Sequence, residues 1–373
     1  MRVAIVADEG DESGERRELY LTQIGALIRR ARSEDAIEPF VVCPRGSSVA
    51  DLARDEAIPC LLAASAGNPI RTFKLWRWQR SAEKLGVLIV GKRALGVGRG
   101  LLKLRGKRET DLSFAFFMDA PGSEAREIRF LSRGREFFCG TGRIVGEIRA
   151  AMGDEAKFRS VAPGIDAASY SVARVRDNAD YNDDFHFAFG MAASLLPRSG
   201  ALLVIRAMAA LWQKENLPPW EVRMFGEGPR YAEILREAGS LGVMSRLSIL
   251  GDQPLSEVCA FCDGWIAPGA SEEETPQVLW SGVAAELPLI CSVNPLHMER
   301  LPSDASALWI EENDPQKLAK AMIDVLSSPE ARRKMSAGMK AIKYLTSAEY
   351  MAKTVCAALT GNGDAADRTE DFK

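Results

Sequence analysis

The feature that most constrains this chain is a repeated alternation of short apolar runs with longer amphipathic ones. Short runs rich in β-branched residues fit buried strands, and amphipathic stretches between them fit helices, so the alternation implies a parallel sheet covered by helices. In the first half the strand-like runs are 3–7, 40–43, 87–91, 112–117 and 137–141, with 158–166 closing the series. From Arg16 to Ala31, Leu19, Ile24, Leu27 and Ile28 fall on one helical stripe. A polar stretch with little pattern, 168–184, follows and reads as a linker.

The alternation then resumes. Strands are expected at 185–192, 222–226, 247–251, 264–268, 287–292 and 307–312, and helices at 200–214, 229–241, 255–262, 276–286, 315–327 and 329–342. The expected architecture is α/β, with a first domain at 1–167, a second at 185–360 and a polar, disordered tail at 361–373. A chain of 373 residues is long enough for two separate cores. Two αβ halves leave a cleft, and in open α/β sheets ligands bind outside the carboxyl ends of the strands.

Composition narrows the functions. A net charge of −3 argues against a general nucleic-acid binder. With two histidines in the chain, neither a His-based metal site nor a Ser-His-Asp mechanism is expected. The seven cysteines are odd in number and lie mostly in apolar runs, which fits buried thiols in a reducing compartment. Cys259 and Cys262 form a C-x-x-C, but no second pair or histidine accompanies them, so they read as core residues of a short helix. Met1 runs directly into a strand, and no apolar run approaches the ~18 residues of a membrane span. The expected location is cytoplasmic. GVGRG (96–100) lacks the G-x-G-x-x-G spacing, and no G-x-x-x-x-G-K-[ST] occurs, so no dinucleotide or P-loop site is expected.

One segment stands out electrostatically. From Ile70 to Arg108 there are twelve Lys or Arg and one acid, Glu83. Phe73, Trp76 and Trp78 alternate there with Arg71, Lys74, Arg77 and Arg80. Such a mixture suits an anionic acceptor or peripheral contact with an acidic membrane surface, and equally suits a half-buried helix with solvated cations.

The second half contains, in order, a G-E-G-P turn (226–229), a strand ending in Gly251, an E-T-P-Q helix start, a strand with Pro288 and a D-P-Q-K-L-A helix start. This succession resembles the family 4, or group 1, retaining glycosyltransferases. APGID (162–166) and the opening strand with Gly14 resemble the same family more loosely. The resemblance implies a GT-B fold, two Rossmann-like domains facing each other across a cleft, and a metal-independent enzyme with no cofactor. Its donor would be a nucleotide-diphosphate sugar, its acceptor a glycan or glycolipid in polysaccharide or lipopolysaccharide assembly, and no nucleic acid would be bound.

The resemblance also assigns residues. Glu273 would lie beside the donor sugar, with Glu272 and Glu274 alternatives under a one-residue slip. Gly226, Glu227 and Gly228 would approach the nucleotide, and Gly14 would let the first domain's loop close over the donor. Thr275 is a good N-cap, Pro276 is well placed at the first helical position, and the amides of Gln277 and Val278 would form an anion site. The departures fall in the same place. Where the family has its second glutamate this chain has Ser281, and where the family has its basic pair it has Ser194 and Ser199, with Arg198 adjacent. Glu286 replaces a glycine, and Met118 replaces the acceptor-side histidine, leaving Asp119 as the nearest polar group. Arg71, Lys74 and Arg77 complete the acceptor-side set. Two readings follow: a glycosyltransferase with altered donor contacts, or a catalytically silent module that binds a glycan, a nucleotide or a partner transferase.

Overall fold

The apolar runs of the first half become one sheet: β1 (Arg2–Ala7), β2 (Glu38–Pro44), β3 (Cys60–Ala63), β4 (Leu85–Val90), β5 (Leu112–Phe117), β6 (Arg135–Cys139) and β7 (Lys157–Ser160). They lie in the order β3-β2-β1-β4-β5-β6-β7, each neighbouring pair parallel. The computed structural model describes residues 1–8, 14–63, 85–91, 94–95, 97–98, 112–117, 135–140, 142–152, 157–172, 175–182, 184–192, 195, 199–269, 276–294, 297–298, 301–302, 306–311 and 314–360. Strand β4 is buried along its whole length, as a central parallel strand covered on both faces should be. The helices are α1 (Gly14–Ser33), α2 (Ser48–Asp55) and α3 (Gly142–Met152), and α1 buries the expected stripe of Leu19, Ile24, Leu27 and Ile28.

The second half repeats the plan. Strands β8 (Phe187–Ala192), β9 (Trp220–Phe225), β10 (Leu247–Ile249), β11 (Gly264–Ala267), β12 (Leu289–Ser292) and β13 (Leu308–Ile310) form a parallel sheet in the order β10-β9-β8-β11-β12-β13. Around it run α4 (Ala201–Trp212), α5 (Tyr231–Ser240), α6 (Leu255–Val258), α7 (Pro276–Ala284), α8 (Pro315–Ser327) and α9 (Pro329–Ile342). Helices α8 and α9 each begin with proline behind a capping side chain, Asp314 accepting from the amides of Gln316 and Lys317 and Ser328 from that of Ala331.

The chain divides into two units, Ile165–Ser347 and Met1–Gly164 with the chain from Ala348 on. This corrects the expected boundaries in two ways. First, the last helix, α10 (Ala348–Thr360), belongs to the first unit: its apolar stripe of Met351, Ala352, Val355, Cys356 and Leu359 shares a core with Ile24, Leu27 and Ile28 of α1. Second, the described part of the stretch expected as a linker packs on the second unit. Tyr170 and Tyr181 are buried, Arg176 pairs with the buried Asp263, and Arg332, 1% exposed, donates to the Arg176 carbonyl and the Asn178 side chain at 2.8 Å. A guanidinium that makes four such bonds can be buried because nearly every donor is matched. The tail at 361–373 lies outside the described residues.

The cysteines are as expected. Six are buried and Cys60 half-buried, Cys259 and Cys262 being core residues of the short helical turn before β11, and burial pushes the thiols of both above their ordinary range. Among the described residues no helix is long and apolar enough to cross a membrane.

Candidate functional site

In the second sheet the strand order reverses between β8 and β11. Connections leaving the two strands at such a point turn to opposite faces, and a crevice opens at their carboxyl ends. Four connections meet along this edge, and glycines let them meet closely. At Gly200, the residue before α4, φ is +80°, and a Cβ would lie 2.7 Å from Pro268 Cγ and 2.8 Å from its carbonyl carbon. The segment after β8 is thereby pressed against the segment after β11. At Gly228 a Cβ would lie 2.9 Å from the Leu195 carbonyl, and the Arg230 amide donates to the same carbonyl at 3.2 Å. The segment after β9 is thus held to the one after β8. The Gly226 amide donates to the Gly251 carbonyl at 2.8 Å, which brings in the end of β10.

Helix α7 follows β11 in the chain, and the first turn of a helix has backbone amides without intrahelical partners, where an anion is favoured. Trp265 on β11 holds α7 against the sheet. The indole is fully buried and donates from Nε1 to the Val278 carbonyl at 2.7 Å. The ring lies between Gly190 of β8 and Gly282 of α7, where added Cβ atoms would stand 2.7 Å from Cζ3 and 2.6 Å from Cδ1.

Of the residues expected in a donor site, Ser199, Gly226, Glu227, Gly228, Pro276, Gln277 and Val278 lie at or next to this edge. Ser199 and Val278 are buried and Glu227 is exposed. Ser281 is fully buried one turn further along α7, its hydroxyl hydrogen-bonded with Tyr170 Oη at 2.9 Å. Gly14 opens α1 at the carboxyl end of β1, in the other sheet. Glu273, Thr275, Arg198, Ser194, Met118, Asp119, Arg71, Lys74, Arg77 and Arg80 lie outside the described residues.

The sequence reading missed a cluster on the far side of Pro268. Ser292 ends β12 and donates to the Pro268 carbonyl at 2.8 Å; Asn294 Nδ2 donates to the Gly269 carbonyl at 2.8 Å, and its Oδ1 accepts the His297 amide at 2.9 Å. The His297 ring, fully buried, has Nδ1 3.0 Å from the Ser292 carbonyl. The available signal was three polar residues in close succession, Ser292 at the end of an otherwise apolar strand and Asn294 and His297 just after it.

Comparison with known proteins adds to this geometry. Residues 182–341 match the family described as glycosyl transferases group 1. No curated protein matches the chain by sequence. Among solved structures, the Anabaena protein Alr3699/HepE in complex with UDP is similar in fold, with a TM-score of 0.69 and 14% identity over 97% of this chain and all of the other. A glycosyltransferase of Rickettsia africae has a TM-score of 0.66 at 11% identity, covering 98% of this chain and 99% of that one. The lipopolysaccharide outer core galactosyltransferase WaaB, in its apo form, has 0.66 at 14%, covering 97% and 100%. The chain therefore has the fold of the GT-B glycosyltransferases over nearly its whole length and, at residues 182–341, matches the glycosyl transferases group 1.

Proposed function

We propose that this protein is a glycosyltransferase that takes a sugar from a nucleotide-diphosphate donor, and that the donor binds at the carboxyl edge of the second sheet. The observation that carries the reading is the convergence of the segments after β8, β9 and β11 at the point where that sheet's strand order reverses, beside the start of α7. A diphosphate leaving group needs fixed positive potential as charge develops on it. Here the start of α7 and Arg198 supply it, with no metal or other cofactor, and Glu273 lies beside the sugar. Transfer proceeds with retention of configuration. The acceptor is a glycan or glycolipid bound by the first unit, with Asp119 at its hydroxyl and Arg71, Lys74 and Arg77 on its anionic part or on an acidic membrane surface.

Calorimetric titration with UDP-, GDP-, ADP- and CMP-sugars tests the donor site. At least one should bind, and failure of all four at millimolar concentration removes the reading. Donor hydrolysis that persists in EDTA and falls about a hundredfold in Glu273→Ala is the expected catalytic signature. Vesicles containing anionic lipid should bind the protein more weakly once Arg71, Lys74, Arg77 and Arg80 are neutralised; binding that ignores these changes removes the acceptor-side assignment. One observation favours the second reading, a silent binding module. Ser281, where the family has a carboxylate, is buried with its hydroxyl engaged by Tyr170. Donor binding without hydrolysis or transfer to any acceptor would mark that module.

A further inference from the structure

We infer that the Glu227 carboxylate reads the base of the nucleotide-diphosphate donor, and that the base it selects is guanine. The inference deepens the donor site proposed above and rests on that reading, but the residues it adds all lie in the turns after β9 and β10. The Gly226 amide donates to the Gly251 carbonyl at 2.8 Å, so the two turns are joined across the end of the sheet. Glu227 is exposed on the first turn, and one of its carboxylate oxygens stands 3.3 Å from where a Cβ on Gly251 would lie. Among the described residues, its chain neighbours aside, nothing else comes within 4 Å of that point. Gly251, at φ +68°, therefore offers bare backbone with a carboxylate at its rim. Two half-exposed apolar side chains lie close by in the chain, Leu250 before Gly251 and Tyr231 at the start of α5, whose amide donates to the Gly228 carbonyl at 3.2 Å.

Charge and chemistry decide which part of the ligand this group meets. A carboxylate repels a diphosphate, so Glu227 serves the other end of such a ligand. In the order β10-β9-β8-β11, β9 and β10 lie two and three strands from β11, after which α7 follows. At the ordinary strand spacing that is about 10–15 Å, the reach of a ribose and its base. An ionised carboxylate has two acceptor oxygens and no donor. Guanine presents two neighbouring donors, N1–H and the N2 amino group, which meet both oxygens at once in charge-assisted hydrogen bonds. Adenine and cytosine set one amino group beside an acceptor nitrogen, and uracil sets one N–H between two carbonyls. Each of these three turns a lone pair toward one carboxylate oxygen, and guanine alone does not.

Calorimetric titration of the full chain with GDP, inosine diphosphate, ADP, CDP and UDP tests the inference. GDP should bind tightest, about tenfold ahead of inosine diphosphate, which lacks the N2 amino group, and at least as far ahead of the other three. Glu227→Gln is isosteric and lies at an exposed position, so the variant should fold. It should bind GDP about tenfold more weakly and UDP as the parent protein does, which removes the preference. An equal loss for every nucleotide in Glu227→Gln would put the carboxylate on the ribose and overturn the inference. A parent protein that binds UDP, ADP or CDP as tightly as GDP would overturn it too. In both cases the donor site itself stands. If none of the nucleotides binds at millimolar concentration, the donor reading falls and the assignment of Glu227 falls with it.

Discussion

Three helices end in the same way, and the residue at the turning point differs in each. After α5 the Gly242 amide donates to the Gly239 carbonyl and the Val243 amide to that of Ala238, with Gly242 at φ +71°. The pattern recurs after α2, where Ala57 and Ile58 donate to Arg54 and Ala53, and after α7, where Glu286 and Leu287 donate to Val283 and Gly282. These are Schellman endings, whose turning residue must be left-handed and is usually glycine. Ala57 (φ +53°) and Glu286 (φ +58°) take that conformation with a Cβ, at a cost of roughly 1–2 kcal/mol each. The glycine that the family resemblance placed at 286 thus has a conformational reason. Ala57 is exposed and its side chain holds nothing, so Ala57→Gly should stabilise the protein by about 0.5–1 kcal/mol after the entropy of the unfolded glycine is subtracted. A urea midpoint that stays or falls would contradict this. Glu286 also places its carboxylate 3.5 Å from Lys343 Nζ, so Glu286→Gly should gain less. The buried thiols make a second residue-level prediction. Burial pushes Cys139, Cys262 and Cys356 up from an ordinary value of 9.0 to about 12. As pH rises past 9 the unfolded chain loses these protons first. Stability should therefore be flat below pH 9 and fall between 9 and 12, by about 1.4 kcal/mol per pH unit for each thiol. Urea midpoints at pH 7.5, 9 and 10.5 measure it, and a midpoint that holds through pH 10.5 would refute the assignment.

At the scale of elements, the seating of α7 depends on a large residue between two small ones. Gly282 lies inside a helix, where Gly→Ala normally stabilises by about 1 kcal/mol. Here the added methyl would stand 2.6 Å from Trp265 Cδ1 and 2.9 Å from its Cβ, and Gly190 blocks the ring from moving away. Overpacking of this kind costs about 1–3 kcal/mol or more, so Gly282→Ala should lower the urea midpoint and loosen donor binding together. A more stable variant would show that Trp265 does not seat the helix. None of this was readable in the sequence, because the partners of a glycine are set by the fold and not by its neighbours in the chain. What was readable followed from period and capping. The Asp314-Pro315 and Ser328-Pro329 starts gave α8 and α9 their ends, and continuous apolar runs gave most of the strands. Strand β3 was missed because its four residues carry no period, and α2 because its eight residues make only about two turns. The candidate site was legible where glycines and a proline punctuate it, at Gly226, Gly228 and Pro276. It was not legible at Ser292, Asn294 and His297, whose polar atoms acquire partners only when β12 lies beside β11.

At the scale of the whole molecule, the assignment of the last helix could not come from local pattern. The stretch 348–360 has an apolar stripe that would cover either sheet, and continuity along the chain favoured the second. Its actual partner is α1, more than 300 residues away, with Glu349 approaching Arg29 at 3.5 Å beside the shared apolar core. The first unit therefore closes its core only when the end of the chain returns to it. Met351, Val355 and Leu359 are each at most 2% exposed, and removing three such side chains forfeits about 5–9 kcal/mol at 1.5–3 kcal/mol apiece. That is comparable with the whole stability of an ordinary domain. A chain ending at Ser347 should accordingly lose the first unit and keep the second, because every strand and helix of Ile165–Ser347 remains present. Limited proteolysis read by mass spectrometry should show rapid cutting within 1–164 and a protected fragment near 165–347. That fragment should still bind UDP if the donor site lies wholly in the second sheet. Equal protection of both units in the shortened chain would mean that α10 only covers the first unit and does not complete its core.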